Sequence, residues 1–164
     1  MSRKATRRFR RALIATVVAA IGAVPACRSS PSDPEFGNGS LSVTTADGPV
    51  TLTVRVASTA EAKAQGLMGQ TRLAENAGMV FVADQPTDTP FWMKDTEIPL
   101  SVAFWNSRHE IVDMLDMSPC TSDPCPLYRS SSPYVGAVEV NRGYFADHGV
   151  GTGDRVELQL HPSA

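Results

Sequence analysis

The stretch Pro90-Phe91-Trp92-Met93-Lys94-Asp95-Thr96-Glu97-Ile98-Pro99-Leu100 concentrates the residues of this chain best able to do chemistry. A flat indole supplies stacking area and an ammonium supplies a point charge. A hydroxyl and a carboxylate can orient a partner. Binding pockets are mostly apolar with a few placed polar groups, and Phe91, Trp92, Met93, Lys94 and Thr96 offer that mixture in one short segment. Gly66-Leu67-Met68-Gly69 is expected to form an opposite wall, where glycine permits close backbone approach and Met68 adapts its shape. Glu139 and Arg142 are candidates for a third side. The competing reading is structural. Phe91 and Met93 then point inward and Trp92 packs on a neighbour. Lys94, Asp95 and Glu97 are solvated, and Thr96 bonds locally to the backbone.

Catalysis is the third class. Lys94 and Asp95 could move protons in a hydrolase-like site, Ser101 could act as a nucleophile, and His109 or His148 as a base. None sits in a G-x-S-x-G, H-E-x-x-H or Walker pattern. Gly149-Val150-Gly151-Thr152-Gly153-Asp154 follows a helical segment and precedes a strand, the reverse of a phosphate loop. His109, His148 and His161 are scattered and read as surface or hydrogen-bonded side chains. Thioethers suit Cu(I), which draws attention to Met68, Met79, Met93, Met114 and Met117. Met79, Met114 and Met117 fall in expected strands, however, where they fill a core. No catalytic residue, metal or cofactor is assigned.

The segments around these residues decide where they work. Arg3, Lys4, Arg7, Arg8, Arg10 and Arg11 precede an apolar run over 12–26 that ends in Val24-Pro25-Ala26, before Cys27. Residues 1–26 therefore read as an export signal, since a spanning helix needs about 20 apolar residues. Sec and twin-arginine export both fit. Cys27 resembles the lipid-bearing residue of a bacterial lipoprotein. Two acyl chains (palmitate among them) would anchor it firmly, at about 0.8 kcal/mol per buried CH₂. Residues 27–40, rich in Ser, Pro and Gly, read as a flexible tether with an end-to-end distance of roughly 20 Å. The expected location is the outer face of a bacterial cell membrane, or a periplasm-facing one. The expected partners are that membrane and an unknown small ligand or envelope component.

The whole chain carries 15 Lys and Arg against 17 Asp and Glu. Six of those cations lie in the leader, so the remainder is strongly acidic. That disfavours a nucleic-acid surface, which needs a basic patch. Cys120 and Cys125 form an even pair after Cys27 and read as a disulfide outside the cytoplasm. The small loop they close contributes about 2 kcal/mol in the chain-entropy model. No nearby His or further Cys completes a zinc site.

Residues 41–161 make one domain. Alternation over 41–57 around Asp47-Gly48 predicts a hairpin. Ser58 and Glu61 form a capping box for a short helix ending at Gly66 or Gly69. Strands are expected over 78–84, 100–106, 110–117 and 135–140, then a short helix capped by Asn141, and a last strand. Residues 118–134 read as an irregular connection. Most connections are too short for parallel crossovers. The fold expected is α+β and mainly antiparallel, a compact barrel-like sheet with two short helices.

In this order, Gly66–Val82, Phe91–Asn106, Glu110–Met114 and Ala137–Leu158 resemble the family called domain of unknown function 192, over about residues 50–160. The Phe91-Trp92-Met93-Lys94-x-Thr96-x-x-Pro99-Leu100 run is the most specific mark. The resemblance implies a small β-rich domain, often exported, and no established activity. Asp95 stands where many members carry Asn, and Ser101 where many carry Asp.

Overall fold

A computed structural model describes residues 34–162 of the 164-residue chain. The expected export signal and Cys27 lie outside the described residues. β1 (Gly37–Thr45) and β2 (Gly48–Ala57) form the expected hairpin, turning at Ala46-Asp47. The Thr45 hydroxyl closes the turn by donating to the Gly48 carbonyl at 2.8 Å. β1 opens at Gly37, so residues 37–40, read as tether, are strand; they pair with β2 and, from Asn38 on, also with the last strand, β9 (Arg155–His161).

α1 (Ala60–Gln65) follows β2. Its cap is Thr59 rather than Ser58: the Thr59 hydroxyl accepts from the Ala62 N–H at 3.1 Å. Gly66, at φ 47°, ends it in a conformation a side chain disfavours. The chain then enters β3 (Ala77–Thr87), which lies parallel to β2. This crossover through α1 departs from the expectation of short antiparallel links. Periodicity identifies strands but not their partners.

β5 (Leu100–Trp105), β6 (Ile111–Met117) and β8 (Tyr134–Asn141) complete the large sheet, in the order β6-β5-β8-β3-β2-β1-β9. The sheet is not closed. Its edges meet at one corner, where Glu110 bridges Arg155 and the Ile111 N–H donates to the Asp154 carbonyl at 2.8 Å. The barrel-like expectation is met as a curl pinned at that corner. α2 (Tyr144–Asp147) is the second short helix. Gly143 is its N-cap, without a side-chain cap bond; the Asn141 amide instead donates to the carbonyls of Leu73 and Ala74.

Strand alternation divides the apolar residues into two cores. Leu41, Val43, Leu52, Val54, Val80, Ala103, Trp105, Val138 and Val140 fill the inside of the curl, with Tyr144 and Phe145 of α2. Gly136 is needed there, because a Cβ would lie 2.2 Å from Cζ2 of Trp105, its cross-strand partner. Met79, Phe81, Leu100, Val102, Phe104 and Ala137 face the other way and form a second core under Ala62, Leu67 and Met93. All six residues of β5 are buried, as a strand covered on both faces requires.

A separate two-stranded ribbon covers that second core: β4 (Phe91–Trp92) pairs with β7 (Leu127–Tyr128). The connection read as irregular thus contains a strand.

Candidate functional site

The ribbon, α1 and the end of β3 enclose an open cleft of about 530 Å³ on the outer face of the sheet. Phe91 is its keystone. Its ring meets Phe81 of β3 edge-on at 5.0 Å and Phe104 of β5 at 5.4 Å. Tyr134 of β8 lies 4.8 Å from Phe104. Each such pair is worth about 0.5–1.5 kcal/mol beyond area burial, so these contacts hold the wall together. Alternation turns the next residue outward: Trp92 is 46% exposed and stands at the rim. Met93 turns in again, is fully buried, and supports the cleft from beneath without lining it. The inward reading of Phe91 and Met93 therefore holds, whereas Trp92 faces solvent and cleft.

The charged turn is held by the disulfide loop. Cys120 and Cys125 are bonded, with Cα atoms 5.8 Å apart. The Asp95 N–H donates to the Cys120 carbonyl at 2.9 Å, and the Asp95 carbonyl accepts from the Gly69 N–H at 2.8 Å. Asp95 takes φ 52° to do both. Asp and Asn tolerate this left-handed conformation best among residues with a side chain, so the backbone alone accounts for its type. Gly69 ties the two loops together but does not line the cleft, whereas Met68 does. Lys94 lines the cleft with its ammonium on Asp123, whose hydrogen bond raises the lysine pKa. Thr96 is buried, lines the cleft, and donates to the Lys94 carbonyl at 3.4 Å.

Glu139 forms part of the floor. It lies on β8 between Met79 of β3 and Val102 of β5, and is 4% exposed. Among the described residues no side chain or backbone group pairs with its carboxyl, and burial alone pushes its pKa up to about 8. At neutral pH it is about ten parts protonated to one ionised. Tyr134 is also raised, to about 12, by burial and then by the Asp88 charge, while its hydroxyl donates to the Thr89 carbonyl at 2.7 Å.

Met68, Phe91, Trp92, Lys94, Thr96 and Glu139 thus share one cleft. Arg142 does not join them; it reaches Asp116 at 3.3 Å. Ser101 is buried, donates to Asp116 at 2.6 Å and accepts the Gly143 N–H at 3.0 Å. His148 stacks on Tyr144, with Nδ1 2.8 Å from the Tyr144 carbonyl oxygen. No histidine of the described residues lines the cleft, nor does Asp95, so the groups considered for catalysis are not assembled. Met79, Met93 and Met117 are fully buried core residues. Sequence reasoning missed Phe81, Tyr134, Thr89 and Lys63 in the lining. Strand alternation signals which face Phe81 occupies, but the covering by ribbon and helix has no local signal.

A family model described as "Uncharacterized ACR" matches residues 42–158. The chain belongs to the DUF192 family. No curated protein matches it. Two solved structures share this DUF192 fold. One, from Sinorhizobium meliloti 1021 and described provisionally as a transcription regulator, is 28% identical, covers 76% of this chain and 95% of its own, with a TM-score of 0.70. The other, a protein of unknown function from Novosphingobium aromaticivorans DSM 12444, is 28% identical, covers 87% and 99%, with a TM-score of 0.69. The match takes in nearly all of each neighbour's chain.

Proposed function

We propose that this DUF192 chain is a binding protein of the bacterial cell envelope, exported by its basic and apolar leader, tethered through lipid on Cys27, and carrying a small organic ligand in the outer cleft. The observation that carries this reading is Glu139: a carboxyl without a partner among the described residues, at the floor of an aromatic cleft. None of its polar atoms is sealed away unpaired, so the carboxyl opens into the cleft, and desolvation there costs stability. A ligand that pairs with it explains its placement. Trp92 adds to this: 46% exposed at the rim, its indole leaves a face free for a ligand to stack on. The cleft volume lies within the about 300–1,000 Å³ usual for small-molecule sites. The description of the Sinorhizobium neighbour as a regulator of transcription is not carried over, because the acidic balance outside the leader gives nucleic acid no footing.

The test is a thermal-shift screen of the domain, residues 34–164, against amino compounds, cell-wall sugars and short peptides, with Trp92→Ala alongside. A hit that raises the melting temperature of the native domain and is lost in a folded Trp92→Ala variant supports the reading. A screen that stays flat throughout, on a domain that is folded, refutes it.

A further inference from the structure

The chemistry of the cleft narrows the ligand. Glu139 faces apolar surroundings: its cross-strand neighbours are Met79 and Val102, and no charged group of β3, β5 or β8 pairs with it. The charged and titratable groups elsewhere on the cleft wall are Lys63 of α1, Asp84 of β3, Lys94 of the turn and Tyr134 of β8. Lys94 is already occupied by Asp123, so it is not poised to receive an anion. The Tyr134 hydroxyl is spent on the Thr89 carbonyl. What the cleft offers an incoming molecule is the Glu139 carboxyl on its floor, the aromatic rings of Phe81, Phe91 and Trp92, and one charge of each sign on the wall, Lys63 and Asp84.

Aromatic faces attract cations, most strongly where water is excluded. A carboxyl becomes a much stronger partner when it ionises against a donor cation. The wall charges of Lys63 and Asp84 offset one another, an anion on the floor would meet the Glu139 carboxyl, and a neutral ligand would leave the strongest interaction there unused. Resting on the binding reading above, we propose that the cleft selects a cationic organic molecule, a protonated amine on an apolar or aromatic body, and that Glu139 gives up its proton to solvent when the ammonium seats against it. Charge balances: a neutral carboxyl and an ammonium enter, and a carboxylate–ammonium pair and one solvated proton leave.

Proton release separates this from simple apolar binding. With the free carboxyl titrating near 8, cation binding at pH 7 should release about 0.9 proton per ligand. Affinity should rise about fiftyfold from pH 6 to pH 8 and level off above that, provided the amine stays protonated. The experiment is titration calorimetry of residues 34–164 with benzylamine, phenethylamine and hexylamine, each against its matched alcohol. Runs at pH 7 in phosphate and in Tris yield the proton count from the buffer-dependent heat. Support is an amine bound at least tenfold more tightly than its alcohol, with proton release, both effects lost in Glu139→Gln while the alcohol still binds. Alcohols binding as well as amines, or amines binding without proton release, overturn the cationic assignment and leave the cleft a ligand site. Binding by no probe in either series, together with a flat thermal-shift screen, overturns both.

Discussion

Among the described residues, Glu139 is the group whose protonation most divides the folded from the unfolded chain, and replacing it by Gln removes that difference. The carboxyl titrates near its ordinary 4.5 when unfolded and at about 8 when folded. Below pH 4.5 both states hold the proton and the group is neutral in the balance. Above 4.5 the unfolded chain releases it and the folded chain does not, so stability falls as pH rises, by about 1.4 kcal/mol per unit. The loss reaches about 3 kcal/mol at pH 7 and levels off near 5 kcal/mol above pH 8. Domains of this size are stable by about 5–15 kcal/mol, so the effect is large. Glu139→Gln should match the native protein near pH 4 and exceed it by about 3 kcal/mol at pH 7. At roughly 3 °C per kcal/mol, the melting temperature gains about 10 °C. Urea and thermal melts of both proteins at pH 4, 5.5, 7 and 8.5 measure the difference, and the difference cancels every other titrating group. A gap that does not widen with pH, or a variant less stable than the native protein at pH 8.5, would mean that Glu139 is ionised and paired. The reasoning about the cleft floor would then fail.

Trp92→Ala should change unfolding free energy by less than about 1 kcal/mol, as expected of an exposed side chain, checked by urea titration. Phe91→Ala should cost about 3 kcal/mol by the same assay, because its ring joins Phe81 and Phe104 across the cleft wall. Replacing Cys120 and Cys125 together by Ser should cost about 2 kcal/mol by restoring loop entropy to the unfolded chain, seen as a lower melting temperature than in the unreduced native domain. Gly136→Ala should destabilise by about 3 kcal/mol or more, since its Cβ would enter the space of the Trp105 indole; a normal denaturation midpoint would contradict that packing.

Much of this molecule is legible locally. Alternation marks β1, β2 and β6. The all-apolar core of β5 marks a strand buried on both faces, and Thr and Gly residues mark the turns. The helix start shows the limit of local reading. Ser58 and Thr59 are both good caps, and the choice between them depends on where β2 delivers the chain. The parallel pairing of β2 with β3 and the two-residue strands β4 and β7 depend on contacts distant in sequence, so periodicity cannot reach them. At the site, the Phe91–Thr96 run is visible by composition. The orientations of Phe91, Trp92 and Met93 follow once β4 is known to be a strand. Glu139 carried a signal in its surroundings, Tyr134-Val135-Gly136-Ala137-Val138-Glu139-Val140: an acid inside an apolar strand. Its depth and lack of a partner needed the cover formed by Phe91 and α1. Arg142 looked equally suitable, but lies beyond the strand end and turns to Asp116.

The cleft is walled by pieces laid over the sheet: a six-residue helix, a ribbon of two two-residue strands, and a turn clasped by a disulfide. The packing inside the curl takes no part in it. Relatives can therefore exchange the side chains of these add-ons, and with them the cargo they accept, while the curl stays as it is. Grafting the 63–69 and 89–96 segments of one member onto another should move the preference without moving the fold.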